Sequence, residues 1–192
     1  MSLYWGIENS IMEEVTMTDI GMDGCSGICV IDGGSVSKRR MNEDDYSRTV
    51  SLKKCEFLRI ESGSGNEGSV MKVMVNDEDG WTVSFEECAF EKCINSESES
   101  GGAMMISLNE NSELTMSKSS GKNCRCKVSS EALKSNEGTG KGRGGFIYVD
   151  CSRISGWNPM KISEMTLNEN EADIGRDVYI LCKYVSQQVN YY

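Results

Sequence analysis

A segment of alternating apolar and polar residues recurs along this chain, and a recurring segment constrains architecture more tightly than any local propensity. It begins Val15-Thr16-Met17-Thr18-Asp19-Ile20-Gly21-Met22 and returns as Val50-Ser51-Leu52-Lys53-Lys54-Cys55-Glu56-Phe57 and Val83-Ser84-Phe85-Glu86-Glu87-Cys88-Ala89-Phe90. Fainter copies start at Leu114 and Met160. Stacked, the copies give a first column of Val15, Val50, Val83, Leu114 and Met160, and a third of Met17, Leu52, Phe85, Met116 and Ile162. Between them stand Thr16, Ser51, Ser84, Thr115 and Lys161. Period-two alternation is a strand signal, because successive side chains point to opposite faces. A helix would space its apolar residues three and four apart. The sixth column (Ile20, Cys55, Cys88, Ser119, Met165) and the eighth (Met22, Phe57, Phe90, Gly121, Leu167) are also mainly apolar, so the inward face is expected to continue past a bend.

A second repeat is interleaved with the first. It is clearest in Gly101-Gly102-Ala103-Met104-Met105-Ile106 and Gly144-Gly145-Phe146-Ile147-Tyr148-Val149, with relatives at Ser26, Gly68 and Gly175. Cys29, Met71, Met104, Ile147 and Val178 form one apolar column, and Ile31, Val73, Ile106, Val149 and Ile180 the next; Val30, Lys72, Met105, Tyr148 and Tyr179 lie between. A glycine pair before a strand suits a tight bend, since glycine reaches backbone angles closed to other residues. Each period is thus expected to hold two or three short strands, the content of one coil of a parallel β-helix.

Gly101–Ile106, followed by quartets related to Phe-x-x-Asn, resembles the short repeats of the polymorphic outer membrane proteins and of large protist surface proteins with similar repeats. Phe90-Glu91-Lys92-Cys93 keeps the Phe and Leu167-Asn168-Glu169-Asn170 keeps the Asn; no quartet keeps both. The resemblance covers about residues 15–182 and implies a right-handed parallel β-helix of the pectin-lyase type. With the columns, the expectation is an all-β chain forming a single domain over residues 1–192, a right-handed parallel β-helix (solenoid) of about five coils. The repeat is under way by Val15, and its last unit at Gly175–Cys182 is followed by a short tail, so either a piece of a longer solenoid or an end coil covered by the short tails is expected.

Composition narrows the function classes. A chain of 192 residues is long enough for one continuous core. Twelve Met and nine Cys supply much of the inward apolar volume. The net charge of −10 argues against nucleic acid and against anionic membrane, both of which call for a basic stripe. Lys38-Arg39-Arg40 is followed by Glu43-Asp44-Asp45 and reads as a solvated loop. No apolar run approaches membrane-spanning length, and no signal peptide is visible. Location at a cell surface, or secretion, is expected through a longer parent protein.

The chain has no histidine, which rules out Ser-His-Asp and Cys-His catalysis within it. The outward columns are Thr18, Lys53, Glu86, Ser117 and Ser163, and beside them Asp19, Lys54, Glu87, Lys118 and Glu164. In the second of these the signs largely alternate, as in a solvated ladder of ion pairs. Asn76-Asp77-Glu78-Asp79-Gly80 has Val75 where a calcium loop needs an oxygen ligand, so it reads as an acidic turn, and Asn109–Asn111 and Asn168–Asn170 read as turns also. Cys55 and Cys88 share one inward column, and Cys93 and Cys124 another. Strand spacing suits a disulfide, but in-register side chains point the same way, which favours stacked free thiols. Cys124-Arg125-Cys126 and Cys25-x-x-x-Cys29 lack a second pair at zinc spacing.

No catalytic, cofactor-binding or metal-ligating residue is assigned. Three segments interrupt the repeat: Asp32–Arg48, Ser96–Ser100 and Lys127–Arg143, the last containing a helix-compatible run at Val128–Lys134. They are either padding or recognition loops. From the resemblance, the expected function is a non-enzymatic adhesive or structural role, with a glycan or a cell-surface protein as partner. Two other readings stand beside it: a carbohydrate-active β-helix enzyme, and a module that self-associates through its coil ends.

Overall fold

A computed structural model describes residues 3–4, 9–22, 29–33, 48–63, 68–75, 80–96, 100–127, 142–154 and 160–182. Their regular structure is entirely β, about 65% strand with no helix, arranged in three parallel sheets. Sheet I runs β1 (Leu3–Tyr4), β4 (Cys29–Gly33), β7 (Met71–Val75), β11 (Met104–Ser107), β15 (Ile147–Cys151) and β19 (Val178–Cys182). Sheet II contains β2 (Asn9–Glu13), β5 (Arg48–Lys53), β8 (Trp81–Glu86), β12 (Glu113–Ser117) and β16 (Met160–Ser163). Sheet III starts with β3 (Thr16–Met22) and β6 (Glu56–Ser62). It goes on as split pairs: β9 (Ala89–Glu91) with β10 (Ile94–Ser96), β13 (Ser120–Lys122) with β14 (Arg125–Lys127), and β17 (Thr166–Asn168) with β18 (Glu171–Ala172).

The chain visits the sheets in the order I, II, III and then returns to I, so successive visits define levels of a stack. In sheets II and III, equivalent residues of adjacent levels lie 40, 33, 31 and 46 positions apart. The variation sits in the connections, because the strands stay in register: Val50 pairs with Val83, Val83 with Leu114 and Leu114 with Met160. Sheet I keeps its expected register too, with Met71, Met104, Ile147 and Val178 aligned.

The inward columns build one core. Val50, Val83 and Leu114 are fully buried, as are Phe85, Val73, Ile106 and Val149. Phe57 stacks on Phe90 at 5.1 Å between ring centroids, and Phe90 meets Phe146 edge-on at 5.4 Å. The same column holds Gly121, and here the missing side chain has a function. A Cβ on Gly121 would lie 2.6 Å from the Phe146 ring, so that ring occupies the space the glycine leaves.

One alignment needs correction. Val15, Thr16 and Met17 do not stack on Val50, Ser51 and Leu52. Ser10 pairs with Val50 and Met12 with Leu52 in sheet II, while Met17 pairs with Phe57 and Ile20 with Ile60 in sheet III. The first copy therefore lies five residues out of the expected register. Val15-Thr16-Met17 has the same apolar-polar-apolar pattern as Val50-Ser51-Leu52, and period-two alternation does not distinguish a sheet II strand from a sheet III strand.

The bends between and within these strands turn on charged residues, with Asn123 the one neutral exception. Glu14, Lys54, Glu87, Lys118 and Glu164 at the first bend, and Asp19, Arg59, Lys92, Asn123 and Glu169 at the second, all have φ between 48° and 55°. This left-handed region is disfavoured for a residue with a Cβ, and cross-level hydrogen bonds compensate. The N–H of Lys54 donates to the Glu86 carbonyl at 2.9 Å, and that of Lys92 to the Lys122 carbonyl at 2.9 Å. Glycine serves at the entry to sheet I instead, with φ of 76°, 70°, 68° and 64° at Gly68, Gly101, Gly144 and Gly175.

Candidate functional site

The outward face of sheets II and III is a lattice of ion pairs joining neighbouring levels. Lys54 Nζ lies 3.3 Å from Glu14 Oε1, Lys53 Nζ 3.3 Å from Glu86 Oε2, and Lys118 Nζ 4.0 Å from Glu87 Oε1. Arg59 grips Asp19 with two nitrogens, its Nη2 donating to Oδ2 at 2.7 Å. Between the last two levels, Arg125 pairs with Glu171 at 2.9 Å and Lys161 with Glu113 at 2.7 Å. The Arg59 hydrogen bonds hold the Asp19 carboxyl down at about 2, and the Glu86 carboxylate raises the Lys53 ammonium.

These pairs sort the expected outward columns. Lys53, Glu86, Ser117 and Ser163 do align, as do Lys54, Glu87, Lys118 and Glu164 by position. Thr18 and Asp19 belong elsewhere: Thr18 pairs with Leu58, Asp19 meets Arg59, and Glu13 and Glu14 take the places foreseen for them. The sign alternation at the first bend was legible in the sequence. Its backbone conformation was not, because no glycine marks it.

Sheet I differs. Its outer column includes Met105 and Tyr148, both close to fully buried at 6% and 5% exposure. These two residues present almost no surface to a partner. At the margin of that column, Tyr148 and Tyr179 stack at 5.5 Å with an interplanar angle of 8°, and the Arg143 guanidinium lies 5.6 Å from the Tyr179 ring centroid. Arg143 also reaches the Tyr148 phenol, whose proton affinity is raised chiefly by burial. Arg143 Nε is buried without a hydrogen-bond partner. A half-buried aromatic ring with an adjacent guanidinium offers a stacking face and hydrogen-bond donors together.

The thiols are core groups. Cys55, Cys88, Cys93, Cys124, Cys126 and Cys151 are free and buried. Cys88 Sγ donates to the Leu52 and Glu86 carbonyls, and Cys124 Sγ to those of Phe90 and Lys122. Burial pushes Cys88 up to about 11, and Cys126 and Cys151 to about 12. Cys93 is also raised, first by its hydrogen bond with Cys124. The quartet that keeps its Asn uses it inside. Asn170 Oδ1 accepts from the Cys124 N–H at 2.8 Å, and its Nδ2 donates to the Gly121 carbonyl at 2.9 Å.

Among the described residues, no cluster of three or more Cys, Asp or Glu could hold a metal ion. The acidic turn at residues 76–79 and the Lys38-Arg39-Arg40 cluster lie outside the described residues, as does most of Asp32–Arg48, Ser96–Ser100 and Lys127–Arg143, including Val128–Lys134. Among the described residues, no helix is long and apolar enough to cross a membrane. No family model, curated protein or solved structure matches the chain.

Proposed function

We propose that the stacked strands wind as a right-handed parallel β-helix acting as a non-enzymatic adhesive or structural scaffold, at a cell surface or in secreted form. The fixed visiting order of three parallel sheets supports the winding, and the strong preference of parallel crossovers for one hand supports its right-handedness. The observation that carries the functional reading is the pairing of outward carboxylates. Asp19, Glu14, Glu86, Glu87, Glu113 and Glu171 each face a Lys or Arg of the adjacent level. Carboxylates held this way fasten levels together, whereas acid–base catalysis on a sugar calls for a poised carboxyl pair.

The partner class is a glycan or a cell-surface protein. Tyr179 beside Arg143 is the described feature best suited to a sugar ring. The test is a glycan array and a cell-binding assay on the purified chain, run beside incubation with polyuronates. Saturable binding that falls on Tyr179→Ala, without release of unsaturated sugars, is expected. Product release would replace the scaffold with the carbohydrate-active enzyme reading.

A further inference from the structure

The two ends of the level stack carry the same charge at both bends. The first bend runs Glu14, Lys54, Glu87, Lys118, Glu164, and the second Asp19, Arg59, Lys92, Asn123, Glu169. Both ladders begin and end on an acid. At the start of the stack the acids are already paired, Glu14 with Lys54 and Asp19 with Arg59. At the far end, no ion pair joins Glu164 or Glu169 to another described residue.

Among the described residues, the far end is also open in its backbone and core. β19 stands one level beyond β16, β17 and β18, which leaves a step where sheets II and III have no further strand among the described residues. Each earlier first-bend residue donates its N–H to the following level, down to Lys118 on the Ser163 carbonyl at 3.3 Å. By that pattern, Glu164 would donate to a carbonyl one level further on. The apolar column running through Leu52, Phe85 and Met116 stays closed to solvent until Ile162, which is 42% exposed.

We propose that this step is a docking edge for a β segment of another polypeptide carrying Lys or Arg at both bend positions, and not for a second copy of this chain. Strand addition to an open edge draws on main-chain hydrogen bonds for affinity and on side-chain pockets for selection. The bends supply the selection. A basic pair at the next level would repeat the Lys54–Glu14 and Arg59–Asp19 contacts, whereas a head-to-tail copy seated with β2 on β16 would set Glu14 against Glu164 and Asp19 against Glu169, and its β1 would fall where β19 already lies. Like charges directly opposite are destabilising and exclude wrong partners. Inward, the segment must bring apolar residues over Met160, Ile162, Met165 and Leu167.

The second level of this chain has these properties, so a synthetic peptide of residues 48–62 is a fitting probe. The full chain is titrated, under reducing conditions, with that peptide and with the same peptide carrying K54E and R59E. The unaltered peptide should bind at least tenfold tighter at low salt, and the difference should shrink at about 0.5 M salt, where exposed charges are screened. The chain variant E164K/E169K should reverse the preference, and the unbound chain should sediment as a monomer. Equal affinity for the two peptides, or no binding of either, overturns the proposal. End-to-end growth of the free chain would make a second copy the occupant and overturn it as well. Peptide binding seen only after removal of residues 183–192 would assign the step to the chain's own tail, with the same consequence.

Discussion

The middle levels and the last level share one sequence pattern and differ in burial. Leu114 and Met116 in β12 are 0% and 1% exposed; their partners in β16 are Met160, which is half-buried, and Ile162, which is 42% exposed. Val149 in β15 is fully buried, whereas Ile180, beside it in β19, is only partly so. The residue types are equivalent, so the burial is supplied by the level on either side. Such a stack gains stability from nearest neighbours, as repeat architectures do. A substitution should therefore cost more in the middle than at the edge.

The largest loss should come from backbone contact. A Cβ on Gly102 would lie 1.9 Å from the Gly145 carbonyl oxygen, with backbone on both sides. Gly102→Ala should cost more than about 4 kcal/mol, at the extreme of single substitutions, measured as the shift in urea midpoint. At the edge, Gly175→Ala meets the Val178 carbonyl oxygen at a less severe 2.7 Å, still too close for a Cβ, and adds the strain of a positive φ, so it should cost less than Gly102→Ala, about 2–3 kcal/mol. Core truncation comes next. Phe85→Ala should lose about 3–5 kcal/mol, and Ile162→Ala about 1 kcal/mol or less, since much of that side chain is already in water. Equal losses for Phe85 and Ile162 would erase the distinction between levels.

Thiol reactivity separates the levels without altering stability. Cys88, raised to about 11, and Cys151, raised to about 12, should resist alkylation at pH 8 in the native state, as should buried Cys55, Cys93 and Cys124. Cys182, in the last level and only half-buried, should react first among the described cysteines. A disulfide joining Cys55 to Cys88 in peptide mapping would contradict the stacked thiols and indicate an oxidising compartment. The smallest effect belongs to the exposed Asp19–Arg59 pair. Because the folded Asp19 carboxyl is held at about 2, below its ordinary 3.8, the pair stabilises the fold above pH 4 and loses that contribution as pH falls from 4 to 2. Asp19→Asn should be slightly less stable at pH 6 and indistinguishable from the parent at pH 2.

The sequence made the inward faces legible from the second copy onward, since Val50, Val83 and Leu114 obey a strict period of two. It misplaced the first copy because Ser10 stands where the column is otherwise apolar, while Val15 and Met17 imitate that column in the neighbouring strand. The bends carried no glycine, so their left-handed backbone at Lys54 or Glu87 left only an alternation of sign as its trace. The burial of Met105 and Tyr148 on the outer side of sheet I was illegible, because an alternating strand pattern assigns that face to water. Column geometry favoured free thiols over a disulfide without deciding between them, and the described cysteines are free. The Arg143–Tyr179 contact joins residues distant in sequence and had no local signal.

Amide hydrogen exchange resolved by strand reads out how far each level depends on its neighbours. Amides of β8, β11 and β12, enclosed by levels on both sides, should exchange slowest and together, and those of β16, β17 and β18 at least tenfold faster despite their matching sequence pattern. Equal protection of β12 and β16, or unequal protection of β8 and β12, would contradict a stack in which each level is stabilised by the levels above and below it.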